Sequence, residues 1–333
     1  ALAAIFIITA SLILPDKTKI DPNTRVYKLL EILGYEVKDN FPNTSIFGVS
    51  AKRGKSIVEE GFSTRPGGGS TNIQSKHFVC TSCHNMQKED PDLRFNDPQA
   101  RLEFTSQNGL PFLQATALYG SVNREKFYND DYYKKYGDLV LPARNDIRGA
   151  IQLCAVECAQ GRKLKKWELE SILAYLWTID LKMADLDLNE GELTFINKAV
   201  KSKMQKDSAI SLIQSRYQKS SSAHFGTAQE SKDAVVNLTG DIDNGKLIYE
   251  NSCLHCHKNR RYSFFALDDD KITFKHLNKK ANTYDKHSIY QVIRYGVYSK
   301  SGKKSYMPQY PKEKMSDQQL ADLHSYIEFR ASE

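Results

Sequence analysis

The same five-residue motif occurs twice in this chain, as Cys80-Thr-Ser-Cys83-His84 and as Cys253-Leu-His-Cys256-His257. Two thiols at this spacing reach the two vinyl groups of one porphyrin, and the imidazole that follows can bind the iron. A zinc site or a redox-active cysteine pair is the alternative, but neither needs a histidine directly after the second cysteine. The motif therefore predicts two covalently bound haem c groups, with four attachment residues and two iron ligands: Cys80, Cys83, Cys253 and Cys256, then His84 and His257.

The two halves of the chain repeat the same order of elements around the motif. In each half a short helix precedes the motif, and an amphipathic helix closes the half, from Trp167 to Trp177 in the first and after Ser316, its predicted N-cap, in the second. A chain of 333 residues is long enough for two such units. We expect an all-α protein with two tandem cytochrome c-like domains. The expected segments are 1–15 as a partial membrane anchor, 16–47 as a lead-in, 48–188 as the first domain, 189–228 as a helical linker and 229–333 as the second domain.

The chain carries a net charge of +7, which is spread in lysine-rich patches such as 198–206 and 300–304. No basic motif interleaved with aromatic residues accompanies them, so we expect no nucleic-acid partner. The patches are typical of a solvated surface, or alternatively of a docking face for an acidic redox partner protein.

An apolar run occupies residues 1–14 and ends at Pro15. It is shorter than the ~20 residues that span a bilayer, and it matches the apolar region of a signal peptide. Because the chain begins with alanine, we expect residues upstream to be missing, and we favour the end of a membrane anchor over an uncleaved secretion signal. This predicts a protein anchored at a bacterial inner membrane with its haem domains on the periplasmic side.

The sixth ligand of each iron sets its redox chemistry. In the second half, Met307 lies between Tyr306 and Pro308 just before the closing helix, where single-haem cytochromes c place their methionine ligand. Met315 is the nearest rival, but it lies at the start of that helix. We therefore predict Met307 as the sixth ligand of the second haem.

The first half has no such methionine, because neither Met nor His occurs between Met86 and Met183. Aligning the closing helices through Tyr175 and Tyr326 maps Met307 onto Val156, between Cys154 and Cys158. One of these cysteines, Cys154 ahead of Cys158, is the leading choice for a thiolate ligand, which lowers the potential of a haem. The alternatives are a structural thiol pair, a disulfide that a helix would strain, or an open sixth position.

The run from Ile151 to Leu164, followed by Ala174-Tyr175-Leu176, resembles the first domain of dihaem thiosulfate dehydrogenases. In that family a cysteine ligates the first haem and is followed by a Gly-basic pair at the spacing that Gly161-Arg162 has from Cys154. The resemblance covers roughly residues 48–330. It implies that Cys154 is the thiolate ligand, that the first haem is the site of sulfur chemistry, and that the second is an electron exit.

The chain also departs from that pattern. The family's arginine four residues before the ligand cysteine is replaced by Ala150, with Arg148 and Arg144 as the nearest substitutes, and its serine four residues after is Cys158. A tyrosine-rich insertion at 127–136 is placed to cover the edge of the first haem. These departures concern substrate binding and leave haem ligation intact.

Two functions follow from these patterns. The favoured one is a membrane-anchored electron-transfer protein, passing electrons in an extracytoplasmic respiratory chain between a membrane respiratory complex and another redox partner. The alternative is an enzyme, a thiosulfate:cytochrome c oxidoreductase that forms tetrathionate with Cys154 as its catalytic residue. A dihaem peroxidase is less consistent, because it is expected to bring a histidine or methionine to the first haem.

Overall fold

The computed structural model describes residues 20–36, 40–202, 204–281, 288–296 and 307–333. Within these segments no β-strand occurs, and the extended pairs are two isolated bridges, Arg25 with Lys182 and Thr64 with Ser70. The regular structure is helical throughout. The predicted all-α fold is confirmed.

Six α-helices lie in the described chain up to residue 176, and the fifth continues directly into a π-helical turn at Cys154–Cys158. These helices are α1 (Val26–Leu33), α2 (Ala51–Glu60), α3 (Pro98–Gln107), α4 (Asp130–Tyr136), α5 (Ile147–Leu153) and α6 (Lys166–Leu176).

Eight more α-helices lie in the described chain from residue 190 onward, with a second π-helical turn at Tyr249–Cys253 just before the second motif. These are α7 (Glu190–Ser202), α8 (Lys206–Gln214), α9 (Ala228–Val235), α10 (Ile242–Ile248), α11 (Leu254–His257), α12 (Lys271–Ala281), α13 (Ile289–Tyr295) and α14 (Asp317–Ser332).

The same close helix crossing occurs in both halves. A Cβ atom on Gly54 of α2 would lie 1.8 Å from the carbonyl oxygen of Ser171 in α6, and one on Gly245 of α10 would lie 2.0 Å from that of Asp322 in α14. Only glycine permits backbones to approach so closely. The alignment that pairs Tyr175 with Tyr326 also pairs Ser171 with Asp322, so both crossings use the corresponding point of the closing helix.

The closing helix α14 begins at the predicted cap. The Ser316 hydroxyl accepts a hydrogen bond from the Gln319 backbone N–H at 3.1 Å, and the Gln319 side chain accepts one from the Ser316 N–H, also at 3.1 Å. This reciprocal pair satisfies two of the N–H groups that a helix start leaves open. The sequence-based expectation for Ser316 is confirmed.

Helix α1 lies in the segment predicted only as a lead-in, and it is amphipathic and buries one face. Leu29 and Leu33 of α1 are almost fully buried beside Ile196 of α7 and Ile213 of α8. The segments on either side of the first motif region thus share one apolar cluster.

Helix α3 packs on the second half. Leu102 of α3 and Phe112 after it are fully buried in the core formed with Tyr249, Phe274 and Tyr326. The Phe112 N–H also donates to the Asn251 carbonyl at 2.9 Å. The two halves are therefore joined through a common core.

The predicted localisation at a bacterial inner membrane needs correction. No helix within the described ranges is both long and apolar enough to cross a bilayer. The longest of them, α14, has 16 residues and so spans about 24 Å, against roughly 30 Å of hydrocarbon. The apolar run assigned to the anchor, 1–15, lies outside the described residues. Membrane attachment is no part of the function proposed below.

Two candidate haem pockets

The second motif lines a large apolar cavity of about 570 Å³. The π-helical turn and α11 bring Cys253, Cys256 and His257 to this cavity, and Met307 and Pro308 line it as well. This volume lies within the ~300–1,000 Å³ range usual for ligand pockets. The structure brings the predicted attachment residues, the proximal histidine and the predicted sixth ligand to one cavity, which we call the second cavity.

His257 is oriented as an iron ligand requires. Its Nδ1 lies 2.7 Å from the Phe265 carbonyl oxygen, so Nδ1 carries the hydrogen and Nε2 keeps its lone pair for a metal. Burial lowers the pKa of His257, which keeps the imidazole neutral. A ligating histidine must be in this neutral form.

The first motif lines a smaller cavity of about 240 Å³, the first cavity. Cys80, Cys83 and His84 share it with Cys154 and Cys158. The Nδ1 of His84 lies 2.6 Å from the Thr116 carbonyl oxygen, and burial lowers the pKa of His84. The histidines of the two motifs, both predicted iron ligands, thus have the same tautomer and the same kind of partner.

The thiols of both motifs are partly buried, and burial keeps them neutral. Burial raises the pKa of Cys80 and of Cys256 to about 11, and that of Cys253 to about 12. Structural zinc is held by thiolates, and no group of three or more His, Cys, Asp or Glu side chains in the described segments is arranged to hold a metal ion. The described residues therefore offer no support for the zinc alternative.

The polar groups of the first cavity fit a haem. The Ser121 hydroxyl is buried without a hydrogen-bond partner, and the Arg124 guanidinium lies in the same cavity. Burial lowers the pKa of Arg124. A haem carries two carboxylates, which would supply an acceptor to the hydroxyl and a counter-charge to the guanidinium.

Cys154 and Cys158 begin and end the π-helical turn after α5. The Ala159 N–H donates to the Cys154 carbonyl at 2.8 Å, five residues back, and the two thiols hydrogen-bond to each other. This thiol contact lowers the pKa of Cys158 to about 7 and raises that of Cys154. The alignment places the ligand between the two cysteines, the family resemblance favours Cys154, and both cysteines line the cavity. The choice of Cys154 as ligand stays a prediction.

Tyrosines of the predicted insertion line the first cavity. Tyr132 and Tyr136 lie four residues apart on one face of α4, and Tyr128, in the irregular segment before it, lines the cavity with them. The Tyr136 hydroxyl lies 3.7 Å from the Cys158 sulfur. The insertion was expected to cover the edge of the first haem site, and it lies against that site.

Sequence reasoning missed two cationic residues of the first cavity, Lys135 and Arg124. Burial lowers the pKa of Lys135 to about 8, and its ammonium donates to the Gln309 side chain from the second half. The substitutes expected from the sequence lie elsewhere: Arg144 pairs with Asp130, and Arg148 with Glu170, both at 2.7 Å, and neither arginine lines the cavity. The one sequence signal for Lys135 is its position directly before Tyr136, which also lines the cavity.

The two cavities have a common wall. Phe78, Gln114 and Pro308 line both of them. Pro308 follows the predicted ligand Met307, so the chain segment that closes the second cavity also borders the first. The motifs are distant in sequence but adjacent in space.

A buried ion pair holds this arrangement together. Lys314 Nζ lies 2.8 Å from a carboxylate oxygen of Glu89, and both side chains are almost fully buried. Arg101 NH1 lies 3.5 Å from the same carboxylate. Burial by itself would raise the pKa of Glu89, but Lys314 and Arg101 outweigh it and hold that pKa well below its usual range. The ion pair connects the segment just after the first motif, which contains Glu89, to the segment after Met307, which contains Lys314.

A family model described as cytochrome c oxidase, cbb3-type, subunit III matches residues 240–327. The match covers the second motif and the α10–α14 crossing. No curated protein and no solved structure matches the chain significantly. The family match, together with the neutral imidazole and the apolar cavity, identifies residues 240–327 as a c-type cytochrome domain, which binds haem c covalently and transfers electrons.

Proposed function

We propose that the chain is a dihaem electron-transfer protein, with a c-type cytochrome domain in residues 48–188 and a second in 229–333. One observation carries the proposal: Phe78, Gln114 and Pro308 form a wall common to the two motif cavities. Haems in adjacent cavities exchange electrons within one chain. A relay needs this proximity, whereas two independent carriers do not.

The equivalence of the two halves supports a second haem in the first cavity. His84 and His257 each hydrogen-bond a backbone carbonyl oxygen through Nδ1. This bond leaves the lone pair of Nε2 available to an iron. Gly54 and Gly245 permit the same crossing of the first and last helices around each motif. A region that repeats both features is expected to bind the same cofactor.

When bound, each haem supplies a one-electron couple at its iron. The predicted sixth ligands give the two haems different reduction potentials. Met307 offers a neutral thioether at the second site, and Cys154 offers an anionic thiolate at the first. A thiolate stabilises ferric iron and lowers the potential. Electrons are therefore expected to pass from the first site to the second.

A redox partner protein with an acidic surface suits the lysine-rich face of α7, where Lys198 and Lys201 lie at the surface. Opposite charges speed the encounter of transient electron-transfer partners. The second lysine-rich patch, 300–304, lies outside the described residues.

The relay is tested by mixing the oxidised holoprotein rapidly with less than one equivalent of a one-electron reductant and following both haem spectra. We expect a slower phase in which electrons redistribute between the haems at a rate independent of protein concentration. In a Cys253→Ala/Cys256→Ala control, which lacks the second haem, this phase is lost. A redistribution rate that rises in proportion to protein concentration would contradict the proposal.

Thiosulfate oxidation is the second function that an observation favours. Lys135 and Arg124 bring positive charge to the first cavity beside Cys154 and Cys158, and a small anion is attracted to such a site. Adding thiosulfate to the ferric holoprotein is expected to reduce haem, and a Lys135→Met variant to do so more slowly. If thiosulfate leaves both haem spectra unchanged, the enzymatic function is excluded and the relay stands.

A further inference from the structure

We infer that Cys154 and Cys158 form a redox-active dithiol–disulfide pair, a third redox centre of this chain. The inference rests on the proposed function, because the two haems act as its electron acceptors. It concerns the two cysteines that neither haem motif uses.

The π-helical turn brings the two sulfurs together. Four residues of an α-helix rise about 6 Å, while the Cβ atoms of a disulfide lie only ~3.5–4.5 Å apart. The bond from the Ala159 N–H to the Cys154 carbonyl closes a turn with one extra residue. More residues per turn mean less rise per residue, so Cys158 lies closer to Cys154 along the axis. Their hydrogen-bonded thiols show that the sulfurs are already in contact.

The pair lies at a haem site and can release protons. Both cysteines line the first cavity with Cys80, Cys83 and His84. Each is only partly buried, so protons from the thiols can pass to water. The Tyr136 hydroxyl, 3.7 Å from the Cys158 sulfur, holds that sulfur in place beside its partner.

The oxidation balances without an external oxidant. The two thiols lose two protons and two electrons as the S–S bond forms. One electron goes to each of two ferric haem irons, which become ferrous. The reverse reaction cleaves the disulfide and restores both thiols. A two-electron couple next to two one-electron centres therefore needs no further carrier.

Disulfide formation also changes the first haem site. A sulfur bound in a disulfide is no longer a thiolate, so Cys154 cannot ligate iron while the bond exists. The first site then has a state with the thiolate ligand and a state without it.

The inference is tested by anaerobic stepwise oxidation of the fully reduced holoprotein, with electrons counted coulometrically. We expect the wild-type chain to release four electrons, one from each haem and two from the pair, since a disulfide is a two-electron couple. Cys158→Ser and Cys154→Ser variants should each release two. Serine matches cysteine in size, and haem content measured in alkaline pyridine confirms that each variant retains both haems.

Alkylation followed by mass spectrometry identifies the bond directly. The peptide with both cysteines should carry two alkyl groups when isolated from the reduced protein. From the oxidised protein it should carry none and be lighter by two hydrogen atoms. A wild-type chain with two haems that releases only two electrons, or whose thiols are alkylated at every potential, overturns the inference and leaves the relay intact. A chain with a single haem overturns the proposed function and removes the second acceptor that this inference requires.

Discussion

The two cavities are alike in their motifs and different in the other residues that line them. Their predicted iron-ligating histidines contact backbone carbonyls at 2.6 Å and 2.7 Å. The second cavity is largely apolar and includes Met307, whereas the first includes Cys154, Cys158 and the half-buried Lys135. The motif thus determines part of each predicted haem site locally, while segments distant in sequence determine the rest. This division is what allows two similar sites to differ in redox chemistry.

Removing a motif is expected to have the largest effect. Cys80→Ala/Cys83→Ala and Cys253→Ala/Cys256→Ala should each halve the haem that remains covalently bound after denaturation, because each pair of thioethers holds one porphyrin. Haem staining of denatured protein on a gel measures this. If either double variant keeps the full wild-type signal, the cavities are not equivalent in cofactor content.

Breaking the ion pair between the two sites should have the next largest effect. Glu89→Gln leaves Lys314 charged and buried without its carboxylate, which should cost ~3–5 kcal/mol of unfolding free energy at neutral pH. Because the folded state lowers the pKa of Glu89 to about 2, its stabilisation is present above the ordinary carboxyl pKa and is lost progressively as the pH falls from there to that lowered value. The difference between wild type and variant should therefore shrink in acid.

Denaturant unfolding at neutral and acidic pH measures this difference. Asp92→Asn is the matched control, because its partner Arg94 is largely exposed and such pairs contribute only ~0–1 kcal/mol. Equal losses for Glu89→Gln and Asp92→Asn would mean that the buried pair does not join the two sites.

The helix crossings test whether the two halves are built alike. Gly54→Ala and Gly245→Ala should each destabilise the fold by about 3 kcal/mol, because the added methyl group meets a backbone carbonyl. Gly67→Ala is the control, since a Cβ there meets nothing within 4 Å. Thermal unfolding measures all three. A loss confined to one of the two crossings would show that the halves differ in the packing of these helices.

At the second site, Met307→Ala should abolish the weak red absorption band that reports the iron–thioether bond in the ferric protein. The rest of the structure should be little affected, because Met307 is only partly buried. Met315→Leu, a volume-conserving change of a core methionine that also lines the cavity, should keep the band. If the band instead survives in Met307→Ala and is lost in Met315→Leu, the ligand is Met315.

The first site should respond by a shift in potential rather than by a loss of haem. The two haems are expected to titrate as separate steps, and Cys154→Met should raise the lower step, because a neutral thioether favours ferric iron less than a thiolate does. Electron paramagnetic resonance should show the thiolate signal in Cys158→Ser, where no disulfide can form, and not in Cys154→Met. The reverse pattern would assign the ligand to Cys158.

Local features of the chain were predictable from sequence. Both motifs, the position of Met307 before the closing helix and the Ser316 cap depend on residues close together in the chain, where spacing and side-chain chemistry determine geometry. The all-α fold followed from the helical periodicity of the closing segments. Helix α1 was missed, although Val26, Leu29, Leu30 and Leu33 recur at helical intervals.

The tertiary structure decided which other residues join each motif. Phe78 and Gln114, in loops, line both cavities, and Lys135 of α4 lines the first, because segments far apart in sequence pack together there. No periodicity marks such residues, since a position on a helix shows which face is apolar but not which partner covers it. The contact between the Cys154 and Cys158 thiols likewise depends on one extra residue in a turn, which Ala159 closes by a single backbone hydrogen bond. Whether a turn closes with a bond four or five residues back depends on packing, and it cannot be predicted from composition.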